Sequence, residues 1–538
     1  MKKHSRSVTE ALRGGNMKIR KWMSAAATPL LIALTIPIGL AAQTDQSQPH
    51  LHHHYQFIDM GTFGGLLSGV NEPLNYVPAV GRRGQVVGFS ANSVLQTPTN
   101  NPTACFGTDI THGFEYENGS VIDLGSLAGD AFCSDAGSIN ERGEIPGISE
   151  NGLFDPLLGL NQVRAVIWRR GQISDLGTFG GNHSWSFGMN DSEQVVGMAL
   201  NAVPDPFSLY GFTIFFSSNS TQTRAFLWEQ NSGKQDLGTL GGNDAWAWFI
   251  NERAQVTGNS YTNSTANSSS GFPTLDPFFF DQGKMLDIGT LGGVVGFVTA
   301  LNDLGEVIGG SSTAENPAAC YAPAYQSIEF GNPGCDPFRW DRGKLIDLAT
   351  STRGGSPVTA DGINNLDEIV GAATFPTQPY DAYLWRKGNA TDVGHLDGDC
   401  SSEAWALNGQ SQVVGNSFGC GAIFQHHAFL WENGSLVDLN SLIPLGSSLE
   451  LVFANSINDR GEIAGNGVPP GVSPGDVFNL GHAFLLIPCD ENHPDIEGCD
   501  YSMVDSAPMP QVERSERTTR PTLGEPARAR RFRTGSSR

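Results

Sequence analysis

Apolar positions in this chain come in short runs separated by glycine, asparagine and aspartate, and the runs recur in a fixed order. The stretch Arg224 to Ser260, RAFLWEQNSGKQDLGTLGGNDAWAWFINERAQVTGNS, holds four of them. Aligned on the run ending D-L-G, the chain gives eight copies, with the shared aspartate at Asp59, Asp123, Asp175, Asp236, Asp287, Asp347, Asp392 and Asp438. Each run is too short for a helix and rich in aliphatic and aromatic residues, which predicts strands. Asp381 to Ser417 shows the full set: DAYLW, a run ending in Asp-Val-Gly, a run ending in Leu-Asn, and Gln-Val-Val-Gly-Asn-Ser.

The punctuation predicts how the strands connect. Asn118-Gly119, Arg170-Gly171, Gln282-Gly283, Arg342-Gly343, Lys387-Gly388 and Asn433-Gly434 sit between the first and second segments, the place of a tight hairpin. Asn302-Asp303-Leu304-Gly305 and Asn458-Asp459-Arg460-Gly461 place a turn between the third and fourth. Four antiparallel strands per repeat point to an all-β fold, a β-propeller. Eight four-stranded blades are expected, with seven as the alternative because the first copy is weak over Ala79 to Ser90.

The HAFLW and D-L-G-T-L-G-G segments, followed by I-N-x-x-G-x-V-V-G, resemble the HAF repeat family of probable extracellular proteins over roughly Tyr55 to Leu486. The order of elements is similar to a kelch unit by analogy. The resemblance implies location and architecture and carries no catalytic residue.

Taken in order, residues 1–42 read as a secretory signal peptide, with Met17 as an alternative start, basic residues around Lys18 and an uncharged run from Ala25 to Leu40. That run is short for a bilayer span, so the mature chain is not expected to cross a membrane. Residues 43–54 form a lead-in in which His52, His53 and His54 are taken as solvated rather than as metal ligands. The repeats then occupy 55–504. The chain opens on a D-L-G strand without its HAFLW partner and ends on HAFLL, His482 to Leu486, without a D-L-G, so the two half-units are expected to pair and close one blade.

Other features refine this. One large aromatic per repeat (Tyr116, Trp168, Trp228, Phe280, Trp340, Trp385 and Trp431) reads as core. Long inserts, Ala91 to Thr111, Glu150 to Val163, Leu200 to Thr223, Tyr261 to Leu275 and Ser312 to Cys335, all fall between the fourth segment and the next HAFLW, so they should leave from one end of the fold. The eight cysteines arrange as near neighbours, and the expected disulfides are Cys105 with Cys133, Cys320 with Cys335, Cys400 with Cys420 and Cys489 with Cys499. No C-x-x-C or Cys/His spacing that would point to zinc occurs.

Charge adds an exclusion. Against −23 for the whole chain, residues 43–504 hold −33, which repels phosphate and argues against nucleic acid. No cofactor is expected; the acidity permits calcium, but no EF-hand-type loop is present. The segment 505–538, with eight arginines, reads as a disordered basic tail. No G-x-S-x-G, H-E-x-x-H or phosphate-loop motif names a reaction, so no catalytic residue is assigned.

The expectation is a monomeric, secreted, extracellular or periplasmic binding module for a polysaccharide or protein. Its ligand would meet the insert-bearing end through Phe207, Tyr210, Phe212, Phe215, Phe216, Tyr261, Phe272, Tyr321 and Tyr325. A propeller-type extracellular hydrolase or lyase and a structural envelope protein without a specific ligand are the alternatives.

Overall fold

In the computed structural model of the chain, residues 50–70, 78–95, 109–210, 220–321, 335–376, 380–420, 425–494 and 496–506 are described. Residues 1–42, expected as a signal peptide, and the residues beyond Ser506 lie outside them. The fold is all-β: among the described residues there are five four-stranded sheets, a five-stranded one, an eight-stranded one made of two successive four-stranded groups, and a two-stranded ribbon, which in repeat order give eight antiparallel units. Unit 4 is representative: Ala245–Ile250, Val256–Tyr261, Leu275–Asp281 and Lys284–Asp287, each strand paired with the one before it. A unit therefore starts at the third segment of one repeat and ends at the D-L-G of the next.

The local chemistry follows the repeat. Gln282 (φ 48°) and Gly283 (φ 78°) both take the left-handed conformation that a two-residue hairpin needs to match strand twist. The glycine of V-V-G has a different cause. In units 3, 4, 5, 7 and 8 the first strand bulges beside it, and a Cβ on Gly258 would lie 2.0 Å from the Trp246 carbonyl oxygen. Only glycine lets the two backbones approach so closely.

Consecutive units bury their faces against each other. Val196, Leu227 and Leu237 of unit 3 pack with Ala245, Phe278 and Phe280 of unit 4. Tyr116, Trp168, Phe280, Trp340, Trp385 and Trp431 are buried, as core aromatics should be, and Trp228 is half-buried with the Arg169 guanidinium 5.0 Å from its ring centre.

The chain ends meet. Tyr55–Asp59 pairs with His482–Pro488, with Asp59 opposite Phe484, and completes unit 8 beside Ile463–Val468 and Glu450–Ile457. Unit 8 then packs on unit 1: Ala464, Ala483 and Leu485 share a cluster with Val70, Val80 and Phe114.

The lead-in is not solvated throughout. His50–His53 forms a strand paired with Met503–Ser506, so Asp505 and Ser506 belong to the fold rather than to the tail. His52 is buried, its Nδ1 2.9 Å from Glu432 Oε1 and its Nε2 3.2 Å from Ser435 Oγ. Alternation along a strand turns one histidine of the three inward, which a reading by polarity alone misses.

Candidate functional site

In seven of the eight units the turn after the first strand carries an asparagine whose side chain organises the turn and reaches the next unit. Asn251 Oδ1 accepts from the backbone N–H of Arg253 and of Gln255, both at 3.0 Å, while its Nδ2 donates to Gln255 Oε1 at 2.8 Å and to the Asn302 carbonyl at 3.0 Å. The same step runs from Asn140 to Asn190, Asn190 to Asn251, Asn302 to Asn364, Asn364 to Asn408 and Asn408 to Asn458. It finishes at the Gly81 carbonyl of unit 1, 2.9 Å from Asn458 Nδ2. Unit 1 has glycine at this position, so the link to unit 2 is made instead by Arg82 Nη1 and Glu141 Oε1 at 2.6 Å.

The turns of all eight units, with the residues that lead into them, line one cavity of about 490 Å3. The residue after each turn asparagine lies at its edge, and it is Glu141, Asp191, Glu252, Asp303 or Asp459 in five of the units. Backbone N–H groups tie the carboxylates in place, from Glu141 to Asp191 Oδ1 (2.8 Å) and from Glu252 to Asp303 Oδ1 (3.1 Å). Burial, with the carboxylates of Asp191 and Asp303 close by, raises the Glu252 pKa. Burial would lower the Arg82 pKa, yet Glu141, Asp191 and Glu252 carry it above the usual arginine value. Deeper in the lining, burial pushes the Asp361 carboxyl up to about 7 although Thr359 and Glu403 hydrogen-bond to it.

The inserts leave from the opposite end, because the second strand starts at the cavity-side turn and runs away from it. In units 1 to 3 they extend the hairpin, Val86–Leu95 with Asp109–Glu117, Ile145–Asp155 with Leu160–Arg169, and Val195–Asp205 with Ser220–Glu229. An asparagine begins each extension, and its Oδ1 accepts from the N–H two residues on: Asn92 from Val94, Asn151 from Leu153 and Asn201 from Val203. The register slips there in all three hairpins, which breaks the inside–outside alternation and turns apolar side chains to solvent. Leu95 (67% exposed), Leu153 (56%), Phe154 (56%), Leu157 (53%) and Val203 (50%) are the result.

Polar clasps hold these hairpins. His183 Nδ1 accepts from the Val163 N–H at 3.2 Å, which leaves Nε2–H for Asp155 Oδ2 at 2.9 Å. Burial alone would raise Asp155; hydrogen bonds from His183, the Leu157 N–H and Asn182 hold it at about 2. Asp244 accepts from the N–H groups of Leu209 (2.6 Å) and Thr223 (3.0 Å) and so pins both sides of the 200–223 insert. Burial still drives its carboxyl up to about 8.

The aromatics expected to form a ligand face scatter. Tyr210 and Tyr261 are buried, Tyr210 with its ring centre 5.0 Å from that of His183. Phe207 and Phe272 are half-buried and meet edge to face at 6.0 Å. Phe212, Phe215, Phe216 and Tyr325 lie outside the described residues, and Tyr321 ends a short 3-10 turn, Ala319–Tyr321. Disulfides join Cys320 to Cys335, Cys400 to Cys420 and Cys489 to Cys499; Cys105 lies outside the described residues. Among the described residues no group of three or more His, Cys, Asp or Glu side chains is placed to hold a metal ion, and no helix is long and apolar enough to cross a membrane.

No protein-family model and no curated protein matches the sequence. Among solved structures, the chain is similar to Porphyromonas gingivalis dipeptidyl peptidase 4 (10% identity, 73% of this chain and 57% of that one, TM-score 0.39). It is also similar to Pyrococcus horikoshii acylaminoacyl peptidase (9%, 75% and 58%, TM-score 0.36). A polysaccharide lyase of family PL25, an ulvan lyase bound to -[GlcA(1-4)Rha3S]-, matches at 12% identity over 73% of this chain and 100% of that one, with TM-score 0.33. The chain spans 57% and 58% of the two peptidases. Similarity at this level bears on neither activity nor substrate.

Proposed function

We propose that the chain is a secreted, eight-bladed β-propeller of the HAF repeat type, closed by its terminal strands, and that it acts as a non-catalytic binding module for a protein partner. The observation that carries the reading is the set of apolar side chains exposed on three neighbouring hairpins, Leu95, Leu153, Phe154, Leu157 and Val203. Exposed apolar residues clustered at one end favour association with an apolar surface. Four of the five are leucine or valine, which lack the flat face that stacks on a sugar ring, and this balance favours protein over polysaccharide. The disulfides support an oxidising compartment.

The test replaces Leu153, Phe154 and Leu157 together by serine. Capture of envelope proteins, identified by mass spectrometry, should fall at least ~10-fold while the thermal transition stays within ~2 °C, because the residues are exposed. Unchanged capture removes this end as the binding face, and retained glycans in place of proteins would assign the polysaccharide reading.

A second reading, an extracellular hydrolase or lyase, rests on Asp361. Its carboxyl lines the cavity near neutral pKa, with Thr359 Oγ1 2.6 Å from it and 3.2 Å from Glu403 Oε1. A carboxyl poised near 7 beside a second one suits general acid catalysis. Turnover of neutral glycans or peptides that disappears in Asp361→Asn would favour this reading.

A further inference from the structure

The clasp made by His183 has a counterpart one unit further on, with different chemistry. His183 accepts from the Val163 N–H through Nδ1 and meets Asp155 Oδ2 through Nε2 at 2.9 Å, which fastens the hairpin of unit 2 to unit 3. The run G-G-N-H at 180–183 recurs as G-G-N-D at 241–244, and N-G-L-F-D-P at 151–156 recurs as N-A-V-P-D-P at 201–206. Asp244 therefore stands where His183 does, and Asp205 where Asp155 does. The backbone contact is kept, since Asp244 accepts from the Thr223 N–H at 3.0 Å. The imidazole donor is not. Asp205 Oδ1 accepts from the Phe207 N–H at 2.8 Å, but Asp205 Oδ2 has no hydrogen-bond partner although the residue is only 1% exposed.

A second exchange accompanies the first. The residue opposite Asp155 across its hairpin is Leu160, whereas the residue opposite Asp205 is Ser220. Cross-strand partners point to the same face, so the Ser220 hydroxyl is directed to the side of the Asp205 carboxylate. Ser220 is buried, at 4% exposure, and its Oγ has no hydrogen-bond partner either. Asp244 is wholly buried, and burial together with the Asp205 charge works against its anion. Where the first clasp has an imidazole N–H and an aliphatic side chain, the second has oxygens alone.

We infer that Asp205, Asp244 and Ser220 bind a calcium ion, which fastens the hairpin of unit 3 to unit 4 as His183 fastens that of unit 2 to unit 3. An all-oxygen donor set suits a hard cation, and the two charges of calcium balance two carboxylates that burial otherwise penalises. Calcium also accepts an irregular shell completed by carbonyl oxygens and water, whereas magnesium demands a near-ideal octahedron.

Calorimetric titration of the full chain, stripped with EDTA and dialysed into neutral buffer, tests this. Calcium should bind with a dissociation constant of ~1 mM or tighter, the range of extracellular calcium modules, and Asp205→Asn and Asp244→His should each weaken it at least ~10-fold. Hydrogen exchange reads the clasp itself. In the wild type, calcium should slow exchange of the Thr223 amide at least ~5-fold, because an ion bound only to the folded clasp opposes its opening. In Asp244→His, which rebuilds the first clasp, that amide should exchange slowly with or without calcium. A chain that does not bind calcium overturns the inference. Binding that Asp205→Asn leaves intact overturns it too, because the ion would then lie elsewhere on an acidic chain, and so does Thr223 exchange that calcium leaves unaltered.

Discussion

His482 Nδ1 lies 3.0 Å from Asp59 Oδ1, although 423 residues separate them in sequence. Within unit 1 the same contact, His112 Nδ1 to Asp123 Oδ1 at 3.0 Å, joins neighbouring strands of one hairpin. The ends of the chain thus reproduce, between two distant segments, a bond that the repeat elsewhere makes locally. Ser68 of unit 1 adds to it, since its Oγ accepts from the Ala483 N–H at 3.1 Å.

Terminal pairing predicts that damage at His482–Pro488 is felt by the whole molecule. Phe484 is fully buried among Tyr55, Leu451 and Ile463. Phe484→Ala should cost about 3–5 kcal/mol and shift one cooperative transition, followed by calorimetry. A separate early transition with the main one unmoved would mean that unit 8 frays by itself.

The asparagine ladder predicts a second sensitivity. Asn302 Nδ2 donates to Glu306 Oε2 and to the Asn364 carbonyl, and its Oδ1 accepts from the N–H groups of Leu304 and Glu306. Asn302→Ala strands these buried partners, at about 1–3 kcal/mol for the groups left unsatisfied. Asn302→Asp keeps the acceptor but loses both donors and brings a charge beside Glu306, so urea midpoints should rank wild type, then alanine and aspartate well below it.

Much of this was legible in the sequence. Strand runs, hairpin glycines, the pairing of the two half-units and three cysteine pairs follow from local periodicity and separation, which a repeat displays many times over. Asn251 and Asn302 were visible as turn residues, but their donation to the next unit was not, because it depends on how turns converge. The apolar patch had a signal that went unused: 151–156 and 201–206 share N-x-[LV]-x-D-P. Of the aromatics of the inserts, Tyr210 and Tyr261 are buried. Composition cannot tell a tyrosine that anchors a loop from one that meets a ligand.

The disulfides give a mapping test. Non-reducing peptide maps should recover Cys320–Cys335, Cys400–Cys420 and Cys489–Cys499, with Cys105 on Cys133 as the remaining expectation. Opening the Cys320–Cys335 loop, a sequence separation of 15, should cost about 3 kcal/mol on the chain-entropy account. A Cys320→Ser/Cys335→Ser variant with an unchanged urea midpoint would show that the link adds nothing to the fold.

The strand-entry pair also predicts a stabilising substitution with a defined pH dependence. Arg224 Nε lies 2.9 Å from Asp236 Oδ2 in unit 3, whereas in unit 4 the interacting pair is Asp276 and Asp287. Asp276 is buried, its Oδ1 has no hydrogen-bond partner, and burial together with the Asp287 charge raises its carboxyl to about 7. The folded chain therefore holds this proton more tightly than the unfolded chain, whose carboxyl titrates near 4. The wild-type protein should lose stability as pH rises from about 4 through 7, and the loss should be complete above that. Asp276→Arg restores the pairing of unit 3 and removes the like-charge contact. Its gain should be of the order of 1–2 kcal/mol at pH 8 and much smaller at pH 5, where the wild-type pair keeps its proton. Urea midpoints at the two pH values decide it; a gain that is equal at both would show that the acid pair does not set the pH dependence.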